Sequence, residues 1–353
     1  MPLFDRIAWR DPISGVPLEP IIAGRTPGGV PISGALRVAG SNIGYPIVDS
    51  VARLTPELAH KYRLWLKAHN LVPPTTAATA FQQETTVESF GFQWSWIGVM
   101  RSEADLEMRV ASRFGLSPDY FRSKLVLDAD AGAGDQSRYL VDRGAAVVSV
   151  DLSSAIDVVA SKLRMSPDWV GVQGDITMLP FAEEQFDIAY CEGVIQHTRD
   201  STFAVRQLIR VVRPAGLILA THYTRSQATT LLRRAKRKLT LGYYEGLRRR
   251  LMAMDHFKRL LITGNLAALS YVPFLGRLIR ATGTAVYYDL MPEFRTTWVN
   301  TFDYYGSHAF QRFITTEEFI SIFEATGNVE LQRSANAIVR AQKRARPVDT
   351  LNA

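Results

Sequence analysis

Five short apolar runs alternate with helical stretches between residues 124 and 223, and this alternation constrains the fold more than any other feature. The runs are KLVLDA, AAVVSVD, WVGVQGD, FDIAYC and GLILATHY. Strands that alternate with helices predict a parallel, doubly wound α/β sheet. We therefore expect residues 124–223 to form the core of an α/β protein.

The regions on either side of this core have different compositions. Residues 1–70 place short apolar pieces between Pro and Gly turns, which predicts a small β-rich unit. Residues 71–123 are expected to hold a linker and N-terminal helices. Their aromatic run SFGFQWSWIG (89–98) has two interpretations: a lid over a cofactor, or core packing, for instance on a strand. Residues 224–314 predict a helical insertion, and residues 315–353 predict a capped helix and a terminal β-hairpin.

Polar residues follow four of the five predicted strands. Gly132 and Gly134 come just after the first strand, where glycines let backbone N–H groups approach a ligand. Asp151 ends the second strand 17 residues after Gly134, close to the roughly 20-residue offset at which an acid contacts a ribose. Asp175 and Glu192 follow the third and fourth strands. Because the carboxyl ends of parallel strands meet at one edge, these residues predict a single ligand crevice.

At these residues the chain resembles the class I S-adenosyl-L-methionine (AdoMet)-dependent methyltransferases, in particular the small-molecule branch likened to the quinone-biosynthesis enzymes. The resemblance implies a mostly parallel, seven-stranded, Rossmann-like sheet with AdoMet as the cofactor. It places the methionine part of AdoMet near the first loop, the ribose near Asp151 and the adenine near Asp175. The cofactor-binding residues it implies are Asp128, Ala129, Asp130, Gly132, Gly134, Gln136, Asp151, Leu152, Asp175, Ile176, Cys191 and Glu192.

The first loop departs from the pattern of this family at one position. The family has a glycine where this chain has Asp130. Aspartate adds a β-carbon and a negative charge where the backbone should approach a cofactor that carries its own carboxylate. A net cost of about 1 kcal/mol would weaken AdoMet binding about fivefold, so we expect reduced or lost affinity.

The N-terminal unit resembles a small zinc-ribbon family found fused to, or partnering, methyltransferases. The resemblance rests on DPISGVPL (11–18) and VAGSNIGYPIVDSVARL (38–54). The positions of the zinc ligands hold Asp11, Ser14, Val38 and Ser41, so we expect a ribbon without metal. An unrelated β-rich extension is the alternative. Cys191 is the only cysteine, which excludes internal disulfides and any zinc site built from several thiolates.

The positive charge is concentrated in one segment. Residues 225–260 hold 11 Lys or Arg and two acids, for a charge of +9, whereas the whole chain carries +7. This segment is a solvated helix face, a surface for anionic membrane lipids, or a clamp for an acidic substrate. We favour a substrate lid that also contacts a membrane, and we expect no nucleic-acid partner because no reading module is recognised. The N-terminus lacks the pattern of a secretory signal, so a cytoplasmic location, peripheral to a membrane at most, is expected.

Three histidines are candidates for a general base, since imidazole titrates near neutral pH: His197, His222 and His308, of which His197 is favoured. The combined expectation is methyl transfer from AdoMet to a partly apolar small-molecule acceptor, with O-methylation favoured. Two alternatives stay open. One is a non-catalytic relative that binds a partner, and the other is an enzyme on the same fold that performs different chemistry, such as a cyclisation.

Overall fold

One mixed sheet organises the chain. The computed structural model describes residues 1–75, 84–97, 101–129, 131–223, 231–282, 284–286, 293–306 and 312–345. The strands are β1 (Leu18–Arg25), β2 (Pro31–Val38), β3 (Gly44–Val48), β4 (Val51–Arg53), β5 (Leu125–Asp128), β6 (Ala146–Asp151), β7 (Trp169–Gln173), β8 (Phe186–Cys191), β9 (Val212–Thr221), β10 (Val329–Ala335) and β11 (Ile338–Lys343). Their order is β1-β2-β3-β4-β7-β6-β5-β8-β9-β11-β10.

Helices cover both faces of this sheet. They are α1 (Leu3–Arg6), α2 (Pro56–Lys61), α3 (Arg63–Ala68), α4 (Glu84–Trp96), α5 (Glu103–Val110), α6 (Asp135–Asp142), α7 (Ala155–Leu163), α8 (Ser201–Val211), α9 (Leu231–Met252), α10 (His256–Leu269), α11 (Leu275–Thr282), α12 (Phe294–Tyr304) and α13 (Thr316–Glu324). Apolar residues of α5, α6 and α7 form the core on one face, and those of α1, α8 and α13 form the core on the other. The predicted α/β architecture is confirmed.

The five strands predicted from the apolar runs are β5 to β9, and they pair in parallel as expected. The terminal hairpin is also confirmed: β10 and β11 join at Asn336 and Ala337, which both have positive φ. Strand β11 runs antiparallel to β9. The helix α13 begins with the predicted cap, since Thr315 and Glu318 form a reciprocal capping box.

In the part of the chain that the structure describes, the sheet has eleven strands and not the seven expected, because β1 to β4 extend it beyond β7. These four strands form an antiparallel meander, and β4 pairs in parallel with β7. Gly171 permits the junction: a β-carbon there would lie 2.5 Å from the Trp169 ring and 3.4 Å from Val51. Arg53 secures it from β4, donating hydrogen bonds to Gln173 Oε1 (2.7 Å) and Asp157 Oδ1 (2.6 Å).

Hydrogen bonds connect the N-terminal residues that stand at the zinc-ligand positions of the ribbon family. Asp11 Oδ2 accepts from the Ser14 hydroxyl (2.5 Å), and Asp11 Oδ1 accepts from the Tyr45 hydroxyl (2.6 Å). Ser41 donates to the carbonyl oxygen of Val38 (3.1 Å). Burial, aided by Asp11, raises the pKa of Tyr45. The zinc-ribbon interpretation of this unit stays a prediction.

The segment 89–98 begins in a helix, so the strand alternative for it is wrong. In α4, Phe92 and Trp96 lie four residues apart on the same helix face, with ring centroids 5.8 Å apart. Phe92 also stacks on His256 of α10 and on Phe302 of α12, which attaches α4 to the predicted insertion. Within the described residues, no helix is long and apolar enough to cross a membrane.

Candidate functional site

A cavity of about 450 Å³ lies above the carboxyl ends of the parallel strands, where the sequence predicts the ligand crevice. The loop after β5 and the start of α6 contribute Ala129, Gly132 and Gln136 to its lining. The ends of β6, β7 and β8 contribute Asp151, Leu152, Asp175, Ile176 and Glu192. The fold therefore brings eight of the twelve predicted cofactor residues to one cavity.

Three other predicted cofactor residues do not line the cavity. The Asp128 side chain is fully buried and accepts a hydrogen bond from the Ser137 hydroxyl (2.5 Å). Gly134 precedes α6 with φ of +83°, and a β-carbon there would lie 2.9 Å from Val159. Cys191 is buried in the core of the sheet. The predicted residues Asp130 and His308 lie outside the described residues.

Asp151 holds the loop after β5 in place. Its Oδ2 accepts from the backbone N–H of Gly132 (2.9 Å), and its Oδ1 accepts from the N–H and the hydroxyl of Ser153 (2.8 and 2.6 Å). Burial raises the pKa of Asp151, and these hydrogen bonds oppose the rise. One rim of the cavity is therefore a carboxylate whose position is fixed by three donors.

Asp175 is fixed in a similar way at the end of β7. Its Oδ1 accepts from the backbone N–H and from the hydroxyl of Thr177, both at 2.7 Å. Burial raises the pKa of Asp175 as well, against the effect of these two bonds. The neighbouring Ile176 adds an apolar wall to the same part of the cavity.

Glu192 lies at the centre of a buried ionic cluster. Its Oε1 is 2.9 Å from Nη1 of Arg109 and 2.9 Å from Nη1 of Arg113, and its Oε2 accepts from the Tyr190 hydroxyl (2.6 Å). Burial by itself would raise the pKa of Glu192. The charges of Arg113 and Arg109 and the bond from Tyr190 outweigh burial and lower that pKa from 4.5 to about 2.

Sequence reasoning missed the arginines of this cluster because they lie in the segment interpreted as linker and helices. Arg101, Arg109 and Arg113 all line the cavity. Asp105 stands between them, 3.7 Å from Arg101 and 3.1 Å from Arg109. These four residues recur at intervals of four: Asp105 and Arg109 share one side of α5, and Arg101 and Arg113 lie just before and just after this helix. That spacing was the signal available in the sequence.

The opposite side of the cavity is formed by the insertion and by β9. Helix α12 contributes Val299 and Asp303, and the Tyr223 hydroxyl donates to Asp303 Oδ2 (3.1 Å). Trp94 of α4 also lines the cavity, with its ring about 3.4 Å from the point that a β-carbon on Gly132 would occupy. The aromatic segment 89–98 thus contributes both to the cavity and to the core.

Two of the three candidate histidines, His197 and His222, line the cavity. His222 Nδ1 lies 2.9 Å from the backbone oxygen of Tyr223. Because a carbonyl oxygen can only accept, Nδ1 carries the proton of the neutral ring and Nε2 has the lone pair. Among the described residues, this Nε2 has no hydrogen-bond partner. Burial lowers the pKa of His222, which favours the neutral ring.

Residues 127–220 match the family described as "Methyltransferase domain". A malonyl-[acyl-carrier protein] O-methyltransferase of Pseudescherichia vulneris is 38% identical over 100 residues, which cover 28% of this chain and 39% of the relative. A demethylmenaquinone methyltransferase of Beutenbergia cavernae is 35% identical over 99 residues, covering 28% and 40%. The chain thus spans well under half the length of these curated relatives.

Among solved structures, the chain is similar to the 1,6-didemethyltoxoflavin-N1-methyltransferase of Burkholderia thailandensis, which was crystallised with S-adenosylhomocysteine. The identity is 16%, the TM-score is 0.40, and the alignment covers 77% of this chain and 94% of the other.

Proposed function

We propose that this chain is an enzyme that transfers a methyl group from AdoMet to a small, partly apolar acceptor, with an oxygen as the favoured acceptor atom. The observation that carries the proposal is the convergence of Gly132, Asp151, Asp175 and Glu192 in one cavity. Three of the four lie at the ends of consecutive parallel strands, and all lie within residues 127–220, the segment that matches a methyltransferase domain. The curated relatives are named for methyl transfer to malonyl-[acyl-carrier protein] and to demethylmenaquinone.

The chemistry of the lining residues fits AdoMet. A carboxylate offers about four acceptor positions, and Asp151 uses three, so one is left for a ribose hydroxyl. Asp175 and Ile176 combine a polar group with an apolar wall for the adenine. The arginines that line the cavity suit the cofactor carboxylate, and Gln136 and Glu192 suit its ammonium group. When bound, AdoMet supplies an electrophilic methyl group on its sulfonium.

The acceptor is proposed to bind between Trp94 and α12. Val299 and Trp94 provide apolar contacts there, whereas Asp303 and Tyr223 provide a hydrogen-bonded polar pair. This combination suits a partly apolar molecule that carries a hydroxyl group. Of the two histidines in the cavity, we propose His222 as the group that takes the proton of that hydroxyl, because its Nε2 has a lone pair.

Calorimetric titration with AdoMet and with S-adenosylhomocysteine tests the cofactor assignment. Three proteins should be compared: the natural chain, Asp130→Gly and Asp151→Asn. We expect Asp130→Gly to bind AdoMet at least about fivefold more tightly than the natural chain does. We expect Asp151→Asn to bind AdoMet at least about tenfold more weakly than the natural chain does. If neither the natural chain nor Asp130→Gly binds, methyl transfer is refuted. The non-catalytic relative and the enzyme of different chemistry would then replace it.

The role of His222 is tested with His222→Gln once a screen with methyl-labelled AdoMet has identified an acceptor. Because burial lowers the pKa of His222, the rate should fall on an acidic limb that lies below the ordinary pKa range of histidine. The variant should lose about 100-fold in kcat together with this acidic limb, and it should bind AdoMet as the natural chain does. If the limb is retained in His222→Gln and lost in His197→Gln, the base is His197.

A further inference from the structure

The hairpin between α10 and α11 exposes an unusual amount of apolar surface. Residues 268–278, here called the apolar tip, include three strongly exposed side chains: Val272 (44%), Phe274 (84%) and Leu278 (61%). Leu269, Tyr271 and Leu275 of the same segment are exposed as well. Such a concentration of exposed apolar side chains in one short segment is typical of a binding surface.

The local backbone of the apolar tip is held in a specific conformation. Phe274 has φ of +64°, a left-handed conformation that is costly for a bulky residue without a compensating function. The backbone N–H of Gly276 donates to the carbonyl oxygen of Val272 (2.7 Å), and Arg280 donates to the carbonyl oxygen of Ser270. The Ser270 hydroxyl donates to the carbonyl oxygen of Ala267 (2.6 Å). The exposure of Phe274 is therefore fixed by an ordered turn.

The charge around the tip has one sign. Residues 256–282 contain no Asp or Glu, although they contain Lys258, Arg259, Arg277 and Arg280. Arg259 is buried and donates to the carbonyl oxygens of Leu251 and Met254, so it does not contribute to the surface. Lys258 lies at the far end of α10 and pairs with Asp255 (3.1 Å), so the cations of the tip are Arg277 and Arg280, which are both exposed. Such a combination complements an anionic membrane, where apolar groups enter the interface and cations meet headgroups.

We propose that the apolar tip docks on the surface of an anionic phospholipid membrane. Phe274 and Leu278 enter the acyl boundary, and Arg277 contacts the headgroups. This surface differs from the basic run 225–260 that the sequence singled out, because it lies C-terminal to that run and combines its cations with exposed apolar residues.

Docking at the tip would bring the cavity close to the membrane. The Tyr271 hydroxyl shares a hydrogen bond with the Thr297 hydroxyl (2.9 Å), and the Trp298 indole N–H donates to the carbonyl oxygen of Leu260 (3.0 Å). These bonds attach the tip and α10 to α12, whose Val299 lines the cavity. If the proposed function holds, the membrane is the source of a lipophilic acceptor. The docking itself does not depend on that function.

Co-sedimentation with lipid vesicles tests the proposal on the full chain. Vesicles of phosphatidylcholine with about 30% phosphatidylserine are compared with vesicles of phosphatidylcholine alone. We expect binding to the anionic vesicles, reduced about tenfold by Phe274→Asp and by Arg277→Glu. The matched control is Leu64→Asp, since Leu64 is 75% exposed on α3 at a distant position in the sequence, and this variant should bind like the natural chain.

Three outcomes would overturn the proposal. The first is that the natural chain does not bind anionic vesicles. The second is that it binds both vesicle types equally and that Phe274→Asp and Arg277→Glu do not change this binding. The third is that Leu64→Asp reduces binding to anionic vesicles as much as the tip variants do. The sedimentation coefficient without lipid provides a further check. If Phe274→Asp converts a dimer to a monomer and leaves vesicle binding unchanged, the tip is an interface between copies of this chain. Circular dichroism checks that the variants are folded, which we expect because Phe274, Arg277 and Leu64 are all exposed.

Discussion

Replacing Glu192 by glutamine should destabilise the fold strongly and in a pH-dependent way. The pKa of Glu192 falls from 4.5 to about 2 in the folded protein. Since a tenfold change in an equilibrium is worth about 1.4 kcal/mol, the ionised carboxylate contributes about 3 kcal/mol. Glu192→Gln removes that contribution and leaves the partly buried guanidinium groups of Arg109 and Arg113 without their counterion. The loss should be about 3 kcal/mol at pH 7.

The pH dependence follows from the direction of this pKa shift. A lowered folded-state pKa gives stability that is complete above pH 4.5 and is lost as the pH falls toward 2. At pH 3 the natural chain has lost about 2 kcal/mol of this stabilisation. The difference in unfolding free energy between the natural chain and Glu192→Gln should therefore narrow to about 1 kcal/mol.

Urea unfolding at pH 7 and pH 3 measures this gap. The matched control is Glu19→Gln, which breaks an ion pair with Arg37 (2.6 Å) in which both side chains are nearly half exposed. That pair should be worth less than about 1 kcal/mol at either pH. Two results would show that the cluster does not hold an ionised carboxylate as described. One is that Glu192→Gln lowers the free energy of unfolding by less than about 1 kcal/mol at pH 7. The other is that the difference between the two proteins is as large at pH 3 as at pH 7.

Two other substitutions test the supports of the cavity and of the sheet. Gly134→Ala should lower the free energy of unfolding by about 2 kcal/mol, because Gly134 has φ of +83° and a β-carbon there would lie 2.9 Å from Val159. Gly242→Ala, where a β-carbon meets nothing within 4 Å, should be neutral or slightly stabilising, and equal melting temperatures for the two variants would contradict this account. Arg53→Met should cost about 2 to 4 kcal/mol and speed the proteolysis of residues 1–55, since Arg53 donates to Gln173 and Asp157 across the junction of β4 and β7. Cleavage no faster than in the natural chain would indicate that backbone pairing alone secures that junction.

The parallel strands were predictable because each is buried on both faces and therefore appears as a continuous apolar run. β6 and β7 are almost entirely buried, which is the condition under which such runs arise. The edge at which the ligand site forms follows from the direction of these strands. For this reason Asp151, Asp175 and Glu192 could be assigned to one cavity without a structure.

The attachment of the N-terminal meander could not be predicted in this way. It depends on contacts between residues 120 positions apart, such as the hydrogen bond from Arg53 to Gln173, and on the missing side chain of Gly171. No local pattern encodes such a pairing. The same holds for Arg109 and Arg113, whose partner Glu192 is about 80 residues away. Their helical spacing is visible in the sequence, but the carboxylate that they face is not.

At the ends of β5 and β8, one geometric cause separates the predicted cofactor residues that line the cavity from those that do not. Successive side chains of an extended chain point to opposite faces of a sheet. At the end of β5, Asp128 points into the protein toward Ser137 of α6, and the next residue, Ala129, lines the cavity. At the end of β8, Cys191 lies in the core and Glu192 lines the cavity.

Asp128 therefore supports the cavity through the loop that follows it. Its bond to Ser137 ties the end of β5 to α6, and Asp151 holds Gly132 between these two elements. Backbone bonds from Ala129 to Tyr190 (2.8 Å) and from Ala131 to Val150 (3.2 Å) attach the same loop to the strands on either side of β5. The protein's own contacts thus hold the N–H group of Gly132 in a fixed position. Preorganisation of this kind lets a short glycine-containing loop bind a cofactor with little further loss of conformational entropy.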